Sequence, residues 1–198
     1  MSPRWVVDTG PLSHFARAGW LGVLRFLSPG NTVVIPDTVE QEIRNAPTAH
    51  AWLPQILSNP WIVVEPLSTD AELVAYSRYA RQLVGDDGRN TGECGVLALA
   101  EVHGYIALLD DHAGVKAGMA AGVTVRRTLG LLCDAIQQGQ LTIDMVSGLA
   151  DSLLESGYRL PMPPGGFARW AIESGRISES HQSRRNYPTT ADETHSVR

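Results

Sequence analysis

Residues 105–111 read YIALLDD, a short apolar run followed at once by two aspartates. The length and composition of this run are typical of a buried β-strand, and the small residues after it, up to Gly122, predict a helix. The same order begins at residue 5, where an apolar stretch leads into Asp8 and then into helically spaced apolar residues. Strands and helices that alternate in this way predict a parallel α/β sheet with right-handed crossovers.

The alternation continues along most of the chain. Further strands are predicted at 32–35, 61–64 and 123–125, with helical patterns between them. We therefore predict an α/β fold in which a central parallel sheet of about five strands is flanked by helices.

A single domain is predicted over residues 1–175, and its C-terminal helices begin at about residue 128. Thr91 and Thr128 are each expected to cap the helix that follows them. Residues 176–198 are rich in Ser, Thr, Arg and His, and we expect them to form a disordered tail.

The composition is that of a folded protein, with 43% hydrophobic and 19% charged residues among 198. No apolar run reaches the ~18–20 residues of a membrane span, and we expect no signal peptide. Cys94 and Cys133 are too few for a disulfide scaffold and are expected to be buried free thiols in a cytoplasmic protein. The net charge of −5 excludes binding of nucleic acid through bulk positive charge.

Acidic residues recur where the predicted strands end. Asp8 follows the first strand, and Asp110 and Asp111 follow the fourth. Because the carboxyl ends of parallel strands meet at one edge of a sheet, we expect these side chains to lie close together. Glu42 and Glu93 lie near the starts of two helices that could carry them to the same edge.

Clustered carboxylates raise one another's pKa unless a cation joins them. Mg²⁺ or Mn²⁺, which prefer oxygen ligands, are therefore the expected cofactors, and such ions support in-line phosphoryl displacement. Taken singly, each acid also has a structural interpretation. Asp8 can cap a turn, Glu93 can stabilise a helix N-terminus, and Asp110 and Asp111 can be a cap and a surface charge.

The motifs resemble those of the PIN-domain family, the fold of metal-dependent ribonucleases that includes the toxins of many bacterial and archaeal toxin–antitoxin pairs. The stretch 122–132 is also similar to the closing strand and helix of one largely uncharacterised PIN subfamily. Four motifs carry the resemblance in order: VVDTGPL at 6–12, VVIP at 33–36 with Glu42 after it, TGECGVLALA at 91–100, and LLDD at 108–111.

The resemblance implies an endoribonuclease whose catalytic acids are Asp8, Glu42, Glu93 and one of the two adjacent aspartates. Asp8 and Glu93 would bind the metal together with Asp110 or Asp111. Consecutive side chains at a strand end point to different faces, so one of the pair is expected to face the metal, and we favour Asp111 slightly as the helix cap.

Three residues are candidates for binding the substrate. Thr9 would, by the resemblance, help to hold a metal-bound water or a substrate phosphate. Similar sequences often carry a basic residue a few positions after the double aspartate, whereas here Val115 stands at that place and Lys116 follows on another helical face. Arg126, near the end of the fifth strand, is placed to meet RNA phosphates if that edge is the active one.

RNA is the expected substrate, and two protein partners are expected beside it. PIN-domain proteins commonly pair, and we expect a two-fold homodimer. Apolar residues at 20–27, together with Phe167, Trp170 and Ile172, are more than we expect a domain of this size to bury. An antitoxin, if one exists, would lie across the acidic groove.

Other functions share parts of this pattern. An aspartic protease also has Asp-Thr-Gly after an apolar strand, but that class is all-β, whereas this chain is mostly helical between strands. A phosphoreceiver domain has its pair of acids after the first strand rather than late in the chain. The remaining alternative is a PIN-like binding or regulatory module without significant nuclease activity, which the low pI favours and the complete set of acids opposes.

Overall fold

The computed structural model describes residues 3–46, 50, 53–85 and 88–178. Within them, five parallel strands form one sheet in the order β3-β2-β1-β4-β5. The predicted α/β fold, with its five-stranded parallel sheet flanked by helices, is confirmed. The strands are β1 (Trp5–Val7), β2 (Val33–Pro36), β3 (Ile62–Glu65), β4 (Ile106–Leu108) and β5 (Val125–Arg126).

Helices connect the strands and close the domain. They are α1 (Thr9–Arg17), α2 (Leu21–Leu27), α3 (Asp37–Arg44), α4 (Asp70–Leu83), α5 (Thr91–His103), α6 (His112–Ala120), α7 (Thr128–Gln137), α8 (Ile143–Glu155) and α9 (Phe167–Glu173). Short 3₁₀ helices lie at Pro29–Asn31 and Leu53–Ser58. No helix in the described part of the chain is long and apolar enough to cross a membrane.

The strand order indicates which point of the sheet edge is the candidate functional site. In chain order, β2 pairs with one side of β1 and β3 follows outside β2. The next strand, β4, pairs with the other side of β1. In open parallel sheets the crevice outside the carboxyl ends of strands lies where the order reverses, here between β1 and β4. Residues Val7 and Leu108 pair at this point, directly before Asp8 and the double aspartate.

The core lies on both faces of the sheet. β1 and β2 are buried along their whole length, as expected for parallel strands that helices cover on both sides. The most deeply buried helix is α5, in which residues 94–100 are all buried. Cys94 and Cys133 are buried free thiols, as predicted.

Two predicted helix caps are wrong. The residue before α5 is Asn90, with φ of 69°, and the residue before α7 is Arg127, so Thr91 and Thr128 are the first helical residues. The hydroxyl groups of both threonines donate to acidic side chains elsewhere in the fold instead of capping their own helices. Tertiary contacts therefore decide where these helices begin.

The last strand begins later than predicted, at Val125 instead of residue 123. The backbone N–H of Val123 donates to the carbonyl oxygen of Gly118 over 2.9 Å, so residues up to 123 still close the end of α6. The predicted tail lies almost entirely at 179–198, outside the described residues.

Most of the apolar residues from which a dimer was predicted are buried or partly buried in one chain, whereas Phe26 is 56% exposed. Leu24 and Phe167 are completely buried, and Leu27 is nearly so. Helix α9 packs against α8, while Trp170 and Ile172 are partly buried against the same core. These side chains are therefore core residues of one chain, and the homodimer stays a prediction from the family resemblance.

Helix α5 approaches α3 closely at Gly95. A Cβ atom at this position would overlap the hydroxyl group of Thr38 and lie 3.0 Å from the Pro36 side chain. We expect Gly95→Ala to lower the free energy of unfolding by about 1–3 kcal/mol, because the overlap outweighs the helix propensity that alanine adds. Urea denaturation measures this change.

The matched control is Gly148→Ala in α8, where a Cβ meets nothing within 4 Å. Gly148 is exposed, so this substitution should stabilise the protein by up to about 1 kcal/mol. A Gly95→Ala protein as stable as the Gly148→Ala protein would show that α3 and α5 are not closely packed.

Candidate active site

Asp8 is the buried centre of the acidic edge. It caps α1, and its Oδ2 accepts a hydrogen bond from the Gly10 backbone N–H at 3.2 Å. The residue is only 6% exposed, and its Oδ1 has no hydrogen-bond partner in the described part of the chain. A buried carboxylate oxygen without a partner is costly unless a cation or water occupies the space beside it.

Glu42 ties three helices together. Its Oε2 accepts from the Thr9 hydroxyl at 2.6 Å, and its Oε1 accepts from the Thr91 hydroxyl at 3.0 Å and from the Gly92 N–H at 2.7 Å. A Cβ at position 92 would lie 2.6 Å from Glu42 Oε2, so a larger residue there would displace this carboxylate from its hydrogen bonds. Glu42 therefore fixes the starts of α1 and α5 against α3, next to Asp8 and Glu93.

Asp8 and Glu93 repel one another across this edge. Burial raises the pKa of Asp8 well above its usual value, and the negative charges of Glu93 and Glu42 raise it further. Burial likewise raises the pKa of Glu93, to which the charges of Glu42 and Asp111 add. The ionised forms of these acids are thus disfavoured in the protein alone, as expected where carboxylates share a site.

The two adjacent aspartates have different surroundings. Asp111 caps α6, where its Oδ2 accepts from the Gly114 N–H at 2.9 Å, and its charge acts on Glu93. Asp110 instead accepts two hydrogen bonds from Thr128, from the backbone N–H at 2.8 Å and from the hydroxyl at 2.6 Å. The structure therefore places Asp111 beside the other acids and uses Asp110 to hold the start of α7.

The comparison with known families agrees with this geometry. The model of the PIN domain family matches residues 4–163, which is most of the chain. The chain belongs to the PIN-domain family. PIN domains are typically nucleases, usually ribonucleases, and typically use divalent metals. A search of curated proteins found no match to this PIN-domain protein.

The donor atoms of this PIN domain suit a hard divalent cation. Within the described residues no three His, Cys, Asp or Glu side chains already surround one point as ligands. The carboxylates at this edge are nevertheless oxygen donors, and a cation would relieve the repulsion between them. Oδ1 of Asp8 also has no hydrogen-bond partner among the described residues. Asp8, Glu93 and Asp111 are the residues that would hold the ion.

The predicted substrate residues lie in two different places. Thr9 is hydrogen-bonded to Glu42, whereas Lys116 and Arg126 line a broad groove beside α6. Arg126 also makes an ion pair with Asp134, with Nη1 and Oδ2 2.7 Å apart. Val115 is buried, so the departure of this PIN domain from the basic residue of similar sequences fits the packing of α6 on the core.

Sequence reasoning missed two cations of the same groove, Arg159 and Arg176. Both lie in the last part of the described chain, where the sequence has no recognisable motif. Their place in the groove depends on how the residues after α8 fold back, where the Arg176 carbonyl oxygen accepts from Gln137 of α7, and no local sequence pattern reports this. An excess of arginine over lysine was the only signal available.

Proposed function

We propose that this protein is a metal-dependent endoribonuclease that cleaves phosphodiester bonds of RNA at the edge between β1 and β4. The observation that carries the proposal is the buried Asp8, whose unpartnered Oδ1 lies among the charges of Glu93 and Glu42 at the strand ends. An acidic cluster that disfavours its own ionisation is suited to a divalent cation and poorly suited to any direct contact with phosphate.

Each acid has a separate task in this proposal. Asp8, Glu93 and Asp111 bind Mg²⁺ or Mn²⁺, which when bound supplies an activated water and neutralises charge on the phosphate. Glu42 keeps Thr9, Thr91 and Gly92 in place, so that α1 and α5 hold the ligand side chains in position, and its negative charge beside Asp8 adds to the attraction for the cation. The burial of Asp8 removes bulk water from one side of the site.

A binding or regulatory PIN module without significant nuclease activity is the second candidate. One observation favours it: among the described residues no three potential ligands are already arranged around a single point. The role of a toxin in a toxin–antitoxin pair, a homodimer and an antitoxin partner are further proposals that rest on the family resemblance.

RNA cleavage by the purified protein, with Mn²⁺ or with a chelator, tests the proposal. We expect cleavage with the metal and none in its absence. Asp111→Asn should lower the rate at least about 10-fold, since a metal ligand is lost. Asp110→Asn should stay within a few-fold of the wild type, because an asparagine carbonyl oxygen can still accept from the Thr128 N–H.

The outcomes separate the two candidates. A folded wild-type protein that binds RNA but does not cut it with either metal is the binding module. Equal losses in Asp110→Asn and Asp111→Asn would contradict the assignment of Asp110 to a structural role.

A further inference from the structure

A large basic groove lies beside the acidic edge. It has a volume of about 1220 Å³ and is bounded by α6, the β5–α7 connection, the residues after α8, and α9. His112, which directly follows Asp111, lines its end nearest the acids. In the described part of the chain its cationic lining residues are Lys116, Arg126, Arg127, Arg159 and Arg176.

Most of these charges are available to a ligand. Lys116 and Arg159 are exposed and have no ion pair among the described residues. Arg176 is exposed, its guanidinium lies 5.5 Å from the centre of the Trp170 ring, and it has no ion pair among the described residues. Arg126 is paired with Asp134, and the one carboxylate among the described lining residues, Asp110, is occupied by Thr128.

The concentration of positive charge is unusual for this protein. The chain carries a net charge of −5 and only 16 Lys and Arg residues, of which five line this groove within the described residues. A protein of this charge repels nucleic acid over most of its surface, so affinity for RNA must come from a local feature. The groove is such a feature, and it opens beside the acids.

We propose that this groove binds the phosphodiester backbone of a single-stranded RNA and guides it to the acidic edge; that the strand is the substrate rests on the proposed function. The groove is too large for a single phosphate. Tyr158 and Trp170 also line it, and aromatic side chains among cations are typical of surfaces that bind unpaired strands. An acidic peptide would use the cations but not the rings.

Part of the groove lies outside the residues matched by the family model. The family match ends at residue 163, whereas Trp170 and Arg176 come after it. Helix α9 is anchored by the fully buried Phe167, and the Arg176 carbonyl oxygen accepts a hydrogen bond from Gln137. The residues after the family match therefore form a fixed outer wall for the RNA strand.

Binding of a short labelled single-stranded RNA, followed by fluorescence anisotropy in EDTA, tests the groove without cleavage. The double variant Lys116→Ala/Arg159→Ala should raise Kd roughly 10-fold and reduce the steepness of the log Kd against log salt plot by about 0.7 for each lost phosphate contact. The matched control Arg25→Ala/Arg169→Ala removes the same charge from exposed positions outside the groove and should change Kd less than about 2-fold near 0.15 M salt.

A second pair tests the C-terminal wall. Arg176→Ala should weaken binding, whereas Arg169→Ala in the preceding helix α9 should not, and circular dichroism verifies that both proteins are folded. Equal losses in the groove and control variants would overturn the proposal, as would wild-type affinity in Lys116→Ala/Arg159→Ala. If the groove variants weaken binding of a poly-glutamate peptide but not binding of RNA, the groove is the site of a protein partner instead.

Cleavage and binding, measured separately, distinguish the groove proposal from the nuclease proposal. If the wild type does not cut RNA but binds it through these cations, the nuclease proposal fails and the groove stands. If RNA is cut but groove variants bind normally, the groove proposal fails alone.

Discussion

Asp8→Asn is expected to abolish most RNA cleavage while the protein stays folded. Asparagine keeps the size of the side chain and can still accept the hydrogen bond of the Gly10 N–H, so the start of α1 is preserved. The substitution removes the anionic oxygen that has no hydrogen-bond partner among the described residues. We expect a loss greater than the roughly 10–100-fold that follows when a residue merely supporting a metal ligand is changed. Unchanged cleavage by the purified variant would contradict the proposed site.

The same variant should be more stable than the wild type when no metal is present. Burial and the charge of Glu93 raise the pKa of Asp8 in the folded state, so folding favours the neutral form of this side chain. The resulting contribution to the free energy of unfolding is fully present below the ordinary pKa of about 4. This stability is lost as the pH rises through the raised pKa. Thermal unfolding in EDTA should therefore show a gain for Asp8→Asn that is larger at pH 8 than at pH 5. Added Mn²⁺ should stabilise the wild type and change the variant little.

Two variants of Glu42 should separate the effect of its hydrogen bonds from the effect of its negative charge. In Glu42→Gln the amide oxygen can still accept from Gly92 and Thr91, and the amide nitrogen can donate to Thr9, so the fold should be retained. The loss of negative charge beside Asp8 should lower cleavage roughly 10–100-fold. Glu42→Ala leaves these donors without an acceptor and should in addition lower the free energy of unfolding by about 1–3 kcal/mol.

The control for Glu42 is Glu40→Ala on the same helix, which removes an ion pair between Glu40 and Arg44. A surface pair of this kind contributes less than about 1 kcal/mol, so both stability and cleavage should stay near the wild type. Urea denaturation and initial cleavage rates measure the two effects. A Glu42→Gln protein with wild-type cleavage would restrict Glu42 to holding the helices.

The sheet was predictable from sequence because its strands are short, apolar and followed by turns. Their buried faces leave little freedom in where each strand lies, and the predicted strands agree with the structure to within two residues. The acids after β1 and β4 reach one edge because all strands are parallel. This part of the site follows from topology, which the alternation of strands and helices specifies.

Contacts between distant residues were not predictable in the same way. Sequence alone could not choose between Asp110 and Asp111, because the choice depends on Thr128, which follows a helix and a strand later. Thr91 and Thr128 look like helix caps, yet their hydroxyls bind acids contributed by other elements. From sequence, Phe167 was expected to be exposed, but it is buried because α9 packs on α8.

The most direct test is a crystal structure of the protein soaked with Mn²⁺, in which anomalous scattering locates the ion. The account predicts Mn²⁺ bound in contact with Asp8 Oδ1 and with the carboxylate of Glu93 or Asp111, at the edge between β1 and β4. An anomalous map with no manganese at this edge, from crystals in which the edge is open to solvent, would contradict the account.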